Sequence, residues 1–494
     1  MAVIFFILST LTALLLSYWM WKRHKRFQKF IDLGIPGPPP HWFFGHLREV
    51  NYREGRVDPI QVKDEWLKKY GKIVGYFNGL IPNVLVSDLD LLRQILIKDF
   101  NTFTNRALTS TNSNMLVSMQ DQKWKDVRKL MTPVFSSAKM KMMMPFMRQC
   151  VETFLKKCEA FADTKTEFNA HYELQCLTLD VIDRCAMALD LNCIENPTNP
   201  IIDRIRKVFS SEMSLFFEII FTLPELARYL APLRKFSNFV ETQEFVIGHI
   251  DRVISRRKED PKKFSRQDAL QMLMDATDPS SDTKTKLTER EVVENAYLFV
   301  LAGYETTSNA LSYAIHLLSV HPEVQDIILD EVRQACGKEM PSYEDLSKLP
   351  YTEAVMCESM RMYPPITSFV TRKASTDIVY EDVTIPKGMF IEASVWSIHH
   401  DEEIYPDPHA FKPERFLPEN KQDYHPLAFL PFGAGPRNCI GARFAMMEAK
   451  LALASIVSKF IINPTSRTKD PLPTVTRRAI TNPKDGVWIV LSKR

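Results

Sequence analysis

Phe432-Gly433-Ala434-Gly435-Pro436-Arg437-Asn438-Cys439-Ile440-Gly441 is the stretch that decides how the rest of this 494-residue chain is read, and the helical pattern Ala442 to Phe460 follows it at once. Three glycines around one cysteine, directly before a helix, make a tight loop whose backbone amides can point at sulfur. Arg437, two residues from the cysteine, adds positive charge. Such surroundings favour thiolate over thiol, and so favour metal ligation or nucleophilic attack. A plain buried cysteine needs neither the glycines nor the arginine, yet the loop taken alone leaves all three readings open. The other seven cysteines are scattered without a CxxC pair, so neither a zinc ribbon nor a thioredoxin-type site is written here, and they read as reduced thiols.

Upstream, Thr288-Glu289-Arg290-Glu291 has capping-box spacing, and a helical pattern runs from it to about Val320, where His321-Pro322 stops it. At 1.5 Å per residue this helix is roughly 48 Å long, enough to cross the whole molecule. Its middle, Ala302-Gly303-Tyr304-Glu305-Thr306-Thr307, carries glycine and hydroxyls that compete for backbone carbonyls, so a kink and a groove are expected there. Small residues let something large approach, either a second helix at Gly303 or a cofactor.

Helical spacing also covers Asp64 to Tyr70, Ser87 to Phe100, Gln122 to Leu130, Met142 to Ala162, Tyr172 to Asp190, Ile201 to Phe217, Phe236 to Lys258 and Gln267 to Asp275. Ile73 to Val86, broken at Asn78-Gly79, reads as a hairpin. Strand-like text returns at Ile378 to Ile385, Met389 to Val395 and Gly486 to Leu491. The expected class is mainly α with a small β part. No fixed-period repeat or low-complexity segment divides the body, which favours one large domain over three small ones.

Residues 1–21 contain no charged side chain and are long enough to span a hydrocarbon core of roughly 30 Å. Tyr18, Trp19 and Trp21 sit where a headgroup belt would lie, and Lys22, Arg23, Lys25, Arg26 and Lys29 follow, which orients the body to the cytoplasm. Charge after the apolar run and bulky aromatics at its end argue for a retained anchor over a cleaved signal. The expected organisation is a transmembrane signal anchor at 1–21, a basic stop and Pro-rich hinge at 22–40, and a single domain at 41–494. The formal net charge is +3, and without the five basic residues after the anchor the body is close to neutral. That excludes broad nucleic-acid binding, which needs a basic face to displace counterions.

Read together, these motifs resemble the cytochrome P-450 superfamily of haem-thiolate monooxygenases. The cysteine loop fits F-x-x-G-x-R-x-C-x-G, and Ala302, Gly303, Glu305 and Thr306 fit A-G-x-E-T. Glu358 and Arg361 fit E-x-x-R, Pro413-Glu414-Arg415-Phe416 fits P-E-R-F, and Trp124 and Arg128 fit W-x-x-x-R. The five motifs stand in family order and cover essentially the whole chain. Their wording most resembles the microsomal animal type, in particular the drug-metabolising group of clan three.

The resemblance implies a P-450 fold, with haem b held between the long central helix and the helix after the cysteine loop. It implies Cys439 as the axial thiolate and metal ligand, donating electron density to favour O–O cleavage. Trp124, Arg128, Arg372, His399 and Arg437, with Arg106 as a weaker candidate, would face the haem propionates. Glu358, Arg361 and Arg415 would form a structural ion-pair cluster behind the haem. Thr306, with Glu305 and ordered water, would deliver protons on the distal side of the iron; the alternative for Glu305 is a helix carboxylate in a hydrogen-bond network only. Segments Asn112 to Met119, Ser210 to Phe221, Leu298 to Ala302, Ile366 to Phe369 and Ala479 to Ile480 would contact a lipophilic substrate. No strand-linked GxGxxG and no flavin domain are present, so an NADPH-cytochrome P-450 reductase in the same membrane is implied, docking near Lys125, Arg128, Lys129, Lys139 and Lys141. The implied function is insertion of one oxygen atom of O2 into lipophilic small molecules, by a single-pass protein of the endoplasmic reticulum membrane. A haem-thiolate isomerase or dehydratase, or a non-enzymatic haem-binding protein, is the alternative.

Overall fold

The computed structural model describes the chain outside residues 107–112, 188–190, 213–214, 231, 233–237, 265–267, 278–285 and 421–423. Expectations that fall on Asn112, Ala188 to Asp190, Met213 and Ser214, Phe236 and Ser237, and Gln267 lie outside the described residues. Eight helices matter for the site: α1 (Ala2–Phe27), α2 (Pro59–Tyr70), α3 (Asp121–Met131), α4 (Ser137–Thr164), α5 (Ala170–Ile182), α6 (Glu289–Val320), α7 (Pro350–Met362) and α8 (Ala442–Lys459).

The central helix α6 begins as its sequence requires. The Thr288 hydroxyl accepts from the Glu291 amide at 3.2 Å, and the Glu291 carboxylate accepts from the Thr288 amide at 2.8 Å, a reciprocal capping box. It continues through Ala302 to Thr307 as one α-helical element to Val320. The Thr306 hydroxyl satisfies itself by donating back to the Ala302 carbonyl at 2.7 Å. Packed around α6 are α5, α7 and α8, and their apolar faces form the largest buried cluster of the molecule.

The β part lies to one side. β1 (Ile73–Asn78) and β2 (Ile81–Val86) form the expected hairpin, with Asn78 opposite Ile81. Parallel to β2 runs β4 (Phe390–Ala393), and β3 (Thr371–Lys373) closes the sheet antiparallel to β4. The short strands Thr371–Lys373, Phe460–Pro464, Thr474–Arg477 and Ile480–Pro483 have no counterpart in the sequence reading. Several expected helices are also interrupted, among them Tyr172 to Asp190, which gives way to a π turn at Asp183–Met187. Ser87 to Phe100 becomes a short helix, Leu89–Arg93, followed by a wide π turn at Gln94–Lys98, and the helix from Pro200 stops at Ser210 before a separate one at Leu215–Thr222.

α1 is apolar and exposed along the length that could cross a membrane, and it runs on through the basic stretch. Arg23 is buried at its inner end, donating to the carbonyls of Trp42, Phe43 and Thr222, while Phe27 meets Phe77 edge-on at 5.0 Å. The proline-rich segment after it lies against the sheet, where the Gly75 amide donates to the Pro36 carbonyl at 2.8 Å.

Candidate active site

The cysteine loop is shaped by glycine where only glycine fits. Gly435 has φ +70°, and a Cβ there would lie 1.9 Å from the Leu96 carbonyl oxygen. Gly433 also takes a left-handed φ, of +68°. The Cys439 amide donates to the Phe432 carbonyl at 2.8 Å and the Asn438 amide to the Gly435 carbonyl at 3.0 Å, so the loop folds back on itself. Its sulfur is thereby presented to a cavity. The Gly441 amide, as the sequence suggests, and Arg128 and Arg106 rather than Arg437 pull the Cys439 thiol towards ionisation, but desolvation outweighs them and pushes it up. A cation at the sulfur is therefore what would hold it as thiolate.

Across the cavity lies one face of α6, with Leu298, Ala302, Gly303, Thr306 and Ala310 recurring at helical spacing. A Cβ on Gly303 would come within 3.1 Å of Ile182, so this glycine serves a helix contact and the cavity wall together. Phe135, Ile366 and Phe369 add apolar surface.

Four arginines enter the same cavity: Arg106 and Arg128 from the segments before and within α3, Arg372 from β3, and Arg437 from the cysteine loop. No aspartate or glutamate is among the described residues that line it. Arg437 lies over the Trp124 ring at 4.2 Å and donates to the Met119 carbonyl at 2.6 Å, but its Nε and Nη1 have no hydrogen-bond partner. Arg372 reaches the carbonyls of Thr371 and Ala434 at 2.8 and 3.2 Å, and its Nε is likewise unpartnered. Arg106 donates to the carbonyls of Phe369 and Arg437, at 2.7 and 3.1 Å. Burial and mutual repulsion push Arg372 and Arg437 down to about 9, and Arg106 to about 10, far below the usual guanidinium range. Buried cations in this state call for anions. An apolar plate bearing two carboxylates, with a cation facing the sulfur, fits the cavity's chemistry, and haem b is such a group.

Not every expected residue is in the cavity. His399 is a correction: it is fully buried away from the lining, its Nε2 accepting from the Leu430 amide at 2.9 Å and its ring stacked on Phe429. It holds the approach to the cysteine loop instead. Glu305 also lies outside the lining, in the hydrogen-bond network that was the alternative for it. It turns away from the cavity and accepts from the Gln175 side chain at 3.2 Å, and burial pushes its carboxyl up to about 8. Gln175 is held in turn by Arg206 at 2.9 Å. Nothing in the sequence marked Gln175, because it belongs to no motif. Asn438, whose Oδ1 accepts from Arg128 at 3.1 Å, was also missed, although it lies inside the loop that was read.

Behind the cavity, Arg361 donates through Nε and Nη2 to both oxygens of Glu358, at 2.7 and 2.8 Å, with both side chains fully buried. Arg415 Nε lies 3.5 Å from Glu358 and its Nη2 reaches the Asp407 carbonyl at 3.0 Å. Arg361 also donates to the His399 carbonyl at 2.8 Å, which ties the cluster to the loop support.

The family model described as Cytochrome P450 matches residues 35–490. Cytochrome P450 3A31 of Mesocricetus auratus is 33% identical over 478 residues, covering 95% of this chain and 93% of that relative. Cytochrome P450 3A2 of Rattus norvegicus is 32% identical, with 96% and 93% covered. Thromboxane-A synthase of Sus scrofa is also 32% identical, with 98% and 96% covered. The chain belongs to the cytochrome P450 family: it is a haem-thiolate monooxygenase, binding haem b through a cysteine thiolate and using O2, a lipophilic substrate and electrons from a redox partner.

Proposed function

We propose that Cys439 is the thiolate ligand and that Arg106, Arg128, Arg372 and Arg437, with Trp124, receive the two propionates. The observation that carries this reading is the cluster of unneutralised arginines beside the one cysteine that opens into the cavity. When bound, the haem supplies the O2-activating chemistry, and the thiolate makes the iron electron-rich. The protein's own contribution is positioning. The apolar faces of α6 and of Ile366 to Phe369 exclude water and bind a lipophilic substrate. Thr306 is the distal hydroxyl that holds and hands on a proton at Oγ1; its bond to the Ala302 carbonyl fixes the rotamer. Glu305 assists from outside the cavity, as a largely protonated acid at neutral pH. Glu358, Arg361 and Arg415 hold the cysteine loop from behind.

The same reading takes residues 1–21 as a single membrane span, 22–40 as the spacer and 41–494 as the catalytic domain, on the cytoplasmic side of the endoplasmic reticulum membrane. Its redox partner is an NADPH-cytochrome P-450 reductase. Exposed Lys129 suits its docking face, whereas Lys125 is engaged by Asn101, Lys141 by Glu344 and Arg128 by Asn438. Coupling through such a face weakens as ionic strength rises.

A relative named as a synthase, as similar as several others, favours a second reading as a haem-thiolate isomerase or dehydratase that needs no reductase. NADPH and O2 consumption with reductase and a panel of lipophilic compounds tests the choice. Product formed with NADPH supports the monooxygenase; conversion of a hydroperoxide without NADPH supports the second reading.

A further inference from the structure

Residues 113–119 form a strap that joins the two walls of the cavity. At its first end, Asn295 of α6 is fully buried and pairs with main chain as another strand would. Its Oδ1 accepts from the Leu116 amide at 2.7 Å, and its Nδ2 donates to the Asn114 carbonyl at 2.9 Å. The same Nδ2 donates to the Glu291 carbonyl at 2.7 Å, which fixes the plane of the amide. Glu294 beside it accepts from the Asn114 amide at 2.7 Å and is braced by Arg290 at 2.7 Å. The strap turns through Met115, whose carbonyl accepts from the amides of Ser118 and Met119 at 2.9 and 3.1 Å. At its far end the Met119 carbonyl is held by Arg437 at 2.6 Å.

Between the two pins the strap presents Leu116 and Val117 to the cavity. Asn295 itself does not line it. An asparagine is the fitting side chain for this job, since it offers donor and acceptor side by side in the geometry of a peptide. Leucine keeps its branched shape, though larger, and alanine is smaller; either leaves both main-chain groups without their partner in a buried place.

We propose that Asn295 is a specificity-determining positioning residue: by pinning Asn114 and Leu116 to the central helix it sets how far Leu116 and Val117 intrude, and so which sizes of lipophilic ligand the cavity admits. This rests on the reading of the cavity as the haem and substrate site. Loss of the pin changes the fit of bulky ligands that touch the strap and leaves small ligands, which need only the space beside Ala302 and Thr306, little affected.

The test compares full-length, haem-loaded wild type, Asn295→Leu and Asn295→Ala. Dissociation constants for imidazole and for the bulky azole clotrimazole are taken from difference spectra, and amide hydrogen exchange is followed over residues 113–119. Imidazole affinity is expected to stay within about twofold, while the ratio of the two constants moves by about tenfold and exchange in 113–119 speeds up by a similar factor, with α8 unchanged. Asn295→Ala carries the comparison if Asn295→Leu does not load haem. A ratio unchanged from wild type overturns the proposal, whether or not exchange rises. The carbon monoxide spectrum of the wild type separates the two levels: without a thiolate band the site reading fails, and with that band and a flat ratio only the role of Asn295 fails.

Discussion

The molecule buries positive charge in two neighbouring places and treats it in opposite ways. In the Glu358, Arg361 and Arg415 cluster, Glu358 receives both forks of Arg361, the Lys412 amide at 3.1 Å and the approach of Arg415. In the cavity, Arg106, Arg128, Arg372 and Arg437 crowd together with no carboxylate among the described lining residues. Taking charges out of water is costly, so the first arrangement, in which a carboxylate answers the arginines and only Arg415 Nε lacks a hydrogen bond, is nearly complete by itself and the second is not. A closed cluster is framework. An open one is an address for an anionic ligand, and Glu305 shows a third solution, a buried acid held by Gln175 whose carboxyl burial pushes up to about 8.

Breaking the closed cluster has the largest expected effect. Arg361→Met strands a buried carboxylate and costs about 3–5 kcal/mol in urea unfolding, with and without haem. Glu305→Gln isolates the third case. The wild-type carboxyl, with an ordinary value of 4.5, is raised to about 8 in the fold, so the folded state binds a proton that the unfolded state gives up. Wild-type stability conferred by that proton is present below about pH 4.5 and is lost as pH rises towards 8. The variant should therefore match wild type near pH 5 and gain up to about 3 kcal/mol on it by about pH 7 in parallel urea titrations.

Arg437→Leu or Arg372→Met sharpens the comparison most, because the two states should respond in opposite directions. Apoprotein stability is expected to hold or rise, since an unneutralised charge has been removed. Haem retention should weaken by about 1.5–3 kcal/mol, the worth of a charged hydrogen bond, read as faster transfer of haem to apomyoglobin. If the apoprotein is destabilised as much as by Arg361→Met, the two clusters are not different in kind. The smallest effect is expected from His399→Gln, which keeps an acceptor for the Leu430 amide and should change haem retention by under about 1 kcal/mol; a larger loss would return His399 to the propionate set.

Much of this was legible because it is local. The capping box at Thr288, the glycine-shaped cysteine loop, the hairpin and the Glu358–Arg361 pair are all fixed by short spacings. Glu305 shows the limit: it adjoins Thr306 in sequence, yet successive helical residues point about 100° apart, so only one of them faces the cavity. His399 went astray because its partner, the Leu430 amide, is set by tertiary packing. Strands of three to five residues carrying arginine, proline or threonine, such as Thr474–Arg477, have too little pattern to be seen. The loop's composition points to Arg437 as the charge beside Cys439, but the fold brings Arg128 and Arg106 to the sulfur instead.

The central claim is that Cys439 is the thiolate ligand of a haem seated against the open arginine cluster. The carbon monoxide difference spectrum of the dithionite-reduced protein, beside that of Cys439→Ser, tests it most directly. The account predicts the far-red-shifted Soret band of a thiolate-ligated ferrous complex in the wild type and its loss in the variant. A band retained by Cys439→Ser, or haem bound without that band in the wild type, would contradict it.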